Sequence, residues 1–248
     1  MSEARPTLSV VVPAFREALY LANTFDALFR YLDDRAMLRD TEIIVVTPNS
    51  PDETESIARR YIQQFPRNVQ LYTGKKVGKG RDVRTGMLSA NGEFVVFMDA
   101  DLATPLSHLD PMLKALQQYD VVIGFRDLTK MHARTSRAYS SKLANVLVQK
   151  LLLPGIGDSQ CGFKGFRSRF VDPLFGPLST MRWGFDIEVL VRARKLGCSI
   201  HQLPIPDWND PKGSEGLAGE VQWAARFRTL HELIMLRLRF GPPPWSGA

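Results

Sequence analysis

Along the first half of the chain, short apolar runs alternate with segments of helical spacing. Leu8–Val12 is a β-rich run bounded by Pro13, and Glu17–Tyr31 repeats apolar residues at Leu21, Phe25, Leu28 and Phe29, one face of a helix. Glu42–Val46 reads as a second strand, and Asp52–Phe65 as a helix with Ile57, Tyr61 and Ile62 inward. Val69–Tyr72 is a third short strand, followed by a Gly/Lys-rich loop and a helix across Val83–Ser89. Glu93–Met98, apolar from Phe94 on, reads as a strand buried on both faces. Helix Leu106–Gln118 and strand Asp120–Ile123 complete the set. This alternation predicts an open, mostly parallel α/β sheet with helices on both faces, in which ligands sit beyond the carboxyl ends of the strands.

The second half changes character. A basic, Ser-rich stretch (Arg126–Lys142) runs into an apolar helix, Leu143–Leu153, stopped by Pro154 and Gly155. A Pro/Gly/Asp-rich loop spans Pro204–Gly219. Val221–Phe240 then has helical spacing, with Trp223, Phe227, Leu230, Ile234 and Leu238 forming a stripe flanked by Arg226, Arg228, Arg237 and Arg239. No repeat or low-complexity segment interrupts the chain, which reads as one domain over residues 1–248. No run reaches the roughly 18 apolar residues of a membrane span, and the N-terminal run is too brief for a signal peptide.

Composition adds two exclusions and one pointer. At 248 residues, 44% hydrophobic and 23% charged, the chain can bury a large core without staples. Two cysteines, Cys161 and Cys198, exclude a disulfide framework, and no Cys/His cluster suggests zinc; a reducing, cytoplasmic setting is expected. Residues 1–124 carry 14 Lys and Arg against 16 Asp and Glu, and residues 125–248 carry 18 against 10. The excess of positive charge in the second half points to an anionic partner there. Nucleic acid is the least favoured one, because the basic residues lack aromatic interleaving on a recognisable module.

Three segments carry candidate chemistry. Asp99 and Asp101 leave the end of the buried strand, and residues two apart in an extended segment point the same way, so both can converge on one cation. Hard carboxylate oxygens suit Mg²⁺ or Mn²⁺, which fill their shells with substrate phosphates and water. The loop Gly74–Arg84 is cationic and flexible but is not a phosphate-binding loop of Walker type, since Gly80 follows Lys79. Lys79 or Arg84 could meet a phosphate or a base; a solvated basic turn is the plain alternative. Asp158–Lys164 and Arg182–Glu188 set polar residues among aromatics, a setting that perturbs carboxylates. Asp186 and Glu188 could instead serve as first-turn helix carboxylates.

The ordered set Leu8–Glu17 (LSVVVPAFRE), Gly78-Lys79-Gly80 with Arg84, Asp99-Ala100-Asp101, Gly124-Phe125-Arg126, Asp158–Lys164 (DSQCGFK) and Arg182–Leu190 (RWGFDIEVL) resembles the family-two inverting glycosyltransferases of GT-A fold. The likeness runs from Leu8 to about Phe240, and the last two motifs are those of the polyprenyl-phosphate branch. It implies a Rossmann-like single domain with a donor half at 1–124 and an acceptor half at 125–248. It implies a nucleotide-sugar donor of UDP-glucose or GDP-mannose type, held by a metal on Asp99 and Asp101. Further donor contacts would come from Pro13, Ala14, Glu17, Asn49, Lys79, Arg84 and Ala100. Arg126 and Arg137 would face the phosphate of a polyprenyl phosphate acceptor, with Gln160 and Lys164 on the same side. Peripheral contact with the cytoplasmic membrane face goes with such an acceptor.

One departure stands out: where relatives follow the second strand with paired aspartates and Gly-Ser, this chain has Thr47-Pro48-Asn49-Ser50-Pro51-Asp52. Asn49 or Asp52 would have to serve in recognising the base. A phosphate acceptor is already anionic and needs little acid–base help; a hydroxyl acceptor would need a general base, for which Asp186 is the candidate. A catalytically silent nucleotide-binding protein of the same fold is the remaining alternative.

Overall fold

The structure, a computed structural model, describes residues 5–126, 147–209 and 231–242. Its first half runs β1 (Leu8–Pro13), α1 (Leu21–Asp34), β2 (Thr41–Pro48), α2 (Thr54–Gln64), β3 (Val69–Gly74), α3 (Lys79–Ser89), β4 (Phe94–Met98), α4 (Leu109–Leu116) and β5 (Val121–Phe125). The second half adds β6 (Phe163–Arg167), α5 (Ser168–Phe175), α6 (Phe185–Lys195) and β7 (Ile200–Pro204). All seven strands join one sheet in the order β3-β2-β1-β4-β6-β5-β7. β6 runs antiparallel to β4 and β5, and the other pairings are parallel. This is the GT-A arrangement of a mostly parallel sheet between helices.

Each strand sends alternate residues to opposite faces, and each face holds its own core. Val10 and Val12 pack with Ile43, Val45, Val96 and Met98 beneath α1, α2 and α4. Val11 packs with Ile44, Val95, Phe97 and Phe166 beneath α3, α5 and α6. Burial on both sides explains why β2 and β4 read as unbroken apolar runs.

Two helix starts and two strands differ from the sequence reading, each for a local reason. α1 starts at Leu21 rather than Glu17, because the preceding loop is tied to residues 50–54. The amides of Arg16, Glu17 and Ala18 donate to Ser50 Oγ (3.0 Å), Thr54 Oγ1 (2.9 Å) and Asp52 Oδ2 (3.3 Å). α3 starts at Lys79, so half of the Gly/Lys loop is helical. β6 and β7 were not expected, since Phe163–Arg167 and Ile200–Pro204 mix polar and apolar residues without a clean period.

The two amphipathic segments are only partly within the described residues. Residues 147–151 are helical, within the expected Leu143–Leu153. Residues 231–240 are helical, but Leu233 and Leu236 face the core while Ile234 and Leu238 are exposed. The stripe members Ile234 and Leu238 therefore face away from the core, and Trp223, Phe227 and Leu230 lie outside the described residues.

Candidate active site

The carboxyl ends of β4 and β5 open onto a cleft of about 200 Å³. Its lining includes Lys79, Asp99, Asp101, Arg126, Gln160, Gly162, Trp183 and Trp208. Residues from both halves of the chain meet there because β6 is inserted between β4 and β5. Met98 pairs with Phe163, and the amide of Asp99 donates to Gly162 O at 3.0 Å. Gly162 is required at this point: a Cβ there would lie 1.9 Å from Asp99 Oδ2. The missing side chain makes the space into which the Asp99 carboxylate turns.

Lys79 reaches Asp99 Oδ1 at 2.5 Å, with its ammonium 5.4 Å from the centre of the Trp183 ring. Burial alone would lower the Lys79 pKa, but Asp99 and Asp186 more than offset it and raise it. Asp101 accepts the Ala103 amide at 3.0 Å and is raised by burial and by the negative charge of Asp99. Glu17 is pushed up to about 7, first by burial and then by Asp101 and Asp99. Three carboxylates, Glu17, Asp99 and Asp101, share the single ammonium of Lys79 here, an imbalance that a divalent cation would offset. Asp99 and Asp101 would hold it; among the described residues no group of three or more acidic, His or Cys side chains could do so. Two protein carboxylates suit a metal that completes its shell with phosphate oxygens and water.

Two of the predicted motifs turn out to be one packing unit. A Cβ on Gly78 would meet Met181 O at 2.7 Å, and one on Gly80 would meet Phe185 Cβ at 2.7 Å. The glycines therefore let the start of α3 press onto residues 181–185, where the Arg81 amide donates to Met181 O. This contact sets Lys79 beside Trp183.

On the other wall, Arg126 and Asp158 form a two-point pair, Nε–Oδ2 at 2.6 Å and Nη2–Oδ1 at 3.0 Å. Asp158 also accepts the amides of Arg126 (3.3 Å) and Gln160 (3.2 Å), so each oxygen takes two bonds. The guanidinium carbon lies 5.0 Å from the centre of the Trp208 ring. Sequence reasoning missed both tryptophans as wall residues and Asp158 as the partner of Arg126. The DSQCGFK motif marked the loop, but nothing local pointed from it to residue 126.

Four predicted positions do other work. Lys164 is completely buried, donating to Asp186 Oδ1 (2.6 Å) and to Cys161 O. The pleat of β6 sends residue 164 to the α6 face, so it does not line the acceptor side as expected. Asp186 is buried in that ion pair, and burial raises its pKa despite Lys164. Glu188 anchors residues 179–180, accepting both their amides and the Arg192 guanidinium. Arg84 donates to the carbonyls of Phe175 and Gly176 at the end of α5, outside the cleft lining.

Pro13 and Ala14 stand at the carboxyl end of β1, with the Ala14 amide on Val46 O; Ala100 is buried in the turn between the two aspartates. Asn49 is exposed at the end of β2, and the Asp52 carboxylate is occupied by Ser50 and Thr54. Those bonds outweigh burial and hold its pKa low. Arg137 lies outside the described residues.

The sequence matches the family described as Glycosyl transferase family 2 across residues 9–175. This chain belongs to that family. A dolichyl-phosphate beta-glucosyltransferase of Trichomonas vaginalis is 33% identical over 228 residues, covering 88% of this chain and 70% of that protein. The Homo sapiens dolichyl-phosphate beta-glucosyltransferase is 31% identical over 255 residues, covering 96% and 77%. Among solved structures, glucosyl-3-phosphoglycerate synthase from Mycobacterium tuberculosis, in complex with Mn²⁺, UDP and phosphoglyceric acid, has a TM-score of 0.71 at 21% identity. The match covers 98% of this chain and 81% of that one. The mannosyltransferase of Pyrobaculum calidifontis, in complex with GDP-Man and Mn²⁺, has a TM-score of 0.66 at 21% identity, covering 97% and 66%. At those identities the structural likeness is one of fold. As a member of glycosyl transferase family 2, the protein is a glycosyltransferase. Among its described residues no helix is long and apolar enough to cross a membrane.

Proposed function

We propose that the protein transfers a hexose from a nucleotide sugar to a polyprenyl phosphate, with inversion and with a divalent metal held by Asp99 and Asp101. The observation that carries this is the pairing of walls in one cleft: two carboxylates on one side, a buried-anchored arginine on the other. Relatives named for dolichyl phosphate, about a third identical over most of the chain, support the acceptor class. A bound Mg²⁺ or Mn²⁺ would supply positive charge against the donor diphosphate. Lys79 adds a cation on that same wall. The reaction joins an acceptor phosphate oxygen to the anomeric carbon while the bond from that carbon to the nucleoside diphosphate breaks and the diphosphate leaves with the electron pair.

No proton has to be removed from a phosphate monoester that is already ionised. The burial of Asp186 against Lys164 supports this, since the carboxylate suggested as a base for a hydroxyl acceptor is held in an ion pair and is not among the residues lining the cleft. Arg126 has its Nε–Nη2 edge fixed by Asp158, and among the described residues its Nη1 has no hydrogen-bond partner, so the N–H groups there would orient the acceptor phosphate. Residues 1–124 would act on the donor and 125–248 on the acceptor. The deciding experiment compares a short polyprenyl phosphate with the matching polyprenol, using UDP- and GDP-sugars with and without Mn²⁺. Transfer to the phosphate alone, abolished by EDTA, is expected; equal rates on the alcohol, or turnover in excess EDTA, overturns the reading.

A further inference from the structure

The cleft has two tryptophans, and their surroundings differ. Trp183 is 61% exposed and stands over Lys79. Trp208 is half-buried on the segment after β7, and that segment is fastened on both sides of it. The Ile205 amide donates to Phe125 O at 2.9 Å, and the Asn209 amide donates to Ala103 O at 3.0 Å. Asp207 meets His108 Nε2 at 2.5 Å. These ties bind the Trp208 segment to the strand that ends beside Arg126 and to the turn that follows Asp101. The ring is thus held against the Arg126 guanidinium by backbone bonds at its neighbours.

A ring laid on an arginine presents hydrocarbon a few ångströms from the part of the guanidinium that Asp158 leaves to an anion. A small phosphate monoester bearing hydroxyl or carboxylate groups next to its phosphate would have them desolvated there without compensation. An acceptor whose phosphate continues into a carbon chain would gain from the same contact. We propose that Trp208 is a specificity-determining residue that contacts the hydrocarbon just beyond the acceptor phosphate and selects alkyl and prenyl phosphates over small hydrophilic ones. The inference rests on the reading that the acceptor carries a phosphate held by Arg126. It goes further, because a phosphate-binding cleft alone would not distinguish these two classes.

The test uses the full chain with Mn²⁺ and its preferred donor. Inhibition constants for methyl, butyl and octyl phosphate are measured against a short polyprenyl phosphate acceptor, and 3-phosphoglycerate is tried as an alternative acceptor. One methylene fully buried is worth a factor of roughly four in affinity. The wild type should therefore bind more tightly along the series, by about tenfold or more from methyl to butyl. Trp208→Ala should flatten that dependence and raise the KM for the prenyl phosphate by about tenfold, with methyl phosphate affected less than about threefold. Trp208→Phe should keep most of the slope. A slope unchanged in Trp208→Ala, absent in the wild type, or accompanied by an equal loss for every phosphate overturns the inference. A wild type that prefers 3-phosphoglycerate also overturns it. A wild type that ignores all phosphates and glycosylates the alcohol instead fails the functional reading itself, a result visible before any variant is made.

Discussion

Lys79 and Arg126 line the same cleft, each between a carboxylate and a tryptophan, but the carboxylates differ. Asp158 is 3% exposed, accepts four hydrogen bonds and is matched by a planar fork in two places. Asp99 is 34% exposed and meets a single ammonium point. The first pair is built into the wall, and breaking it leaves a charge stranded in a low-dielectric site. The second is open to solvent and can exchange its partner, as the proposed role of holding a cation requires. One architecture thus gives a fixed pair and an exchangeable one, and the accessibility of the carboxylate separates them.

The largest effect is expected from removing the fixed cation. Arg126→Ala leaves Asp158 buried and unpaired and should cost roughly 3–5 kcal/mol in urea denaturation. Arg126→Ala/Asp158→Leu should recover much of that stability but none of the transfer. If the single variant is as stable as the wild type, Asp158 is not the buried anchor described above.

Next in size is Asp101→Asn, which weakens the pair offered to a hard cation. Transfer in Mn²⁺ should fall by about 100-fold or more while the circular dichroism spectrum stays the same. Undiminished turnover by a folded Asp101→Asn protein would remove the carboxylate wall from the mechanism.

A third test concerns a buried carboxylate on the helix that carries Lys79. Asp82, in the first turn of α3, is buried and pushed up to about 6 by desolvation, against the pull of Lys76 and Arg81. Its ordinary value is 3.8, so its contribution to stability is complete below that pH and is lost as pH rises through about 6. Asp82→Asn should match the wild type near pH 4 and exceed it by on the order of 1–2 kcal/mol at pH 8. Thermal melts across that range decide it; a constant difference at every pH contradicts the assignment.

The smallest effect is expected for Lys79→Ala. Its partner is partly solvated, so stability should change by under about 1 kcal/mol, in contrast with Arg126→Ala. The affinity for nucleoside diphosphate in Mn²⁺, measured by calorimetry, should nonetheless fall. A large loss of stability would mean that the two pairs are alike after all.

How far the sequence foretold this depends on where its signals were local. The βαβ rhythm of residues 8–125 and the Asp99–Asp101 pair at a strand end were legible because buried parallel strands announce themselves as apolar runs. β6 was not legible: Lys164, Gly165 and Arg167 leave no apolar run, and the charge of Lys164 is tolerable there because of the distant Asp186. The same hidden partnership made Lys164 and Asp186 look like cleft residues. Arg84, likewise, read as a phosphate ligand until the end of α5, some ninety residues on, supplied its carbonyls. Motif spacing identifies which residues are unusual, and long-range pairing decides whether their charge is presented to a ligand or used up in the wall.

The antiparallel β6 carries a consequence for how the molecule is made. β4, Phe94–Met98, takes β1 on one side and β6 on the other, and the second partner arrives only after residue 163 has been synthesised. Until then a nascent chain carries a bare edge of five consecutive apolar residues, the kind of edge that recruits other chains into aggregates. The first half of the chain is therefore no free-standing module to be excised or recombined. Its edge strand is sheathed by β6 from the second half, and the two are bound to fold, and to fail, together.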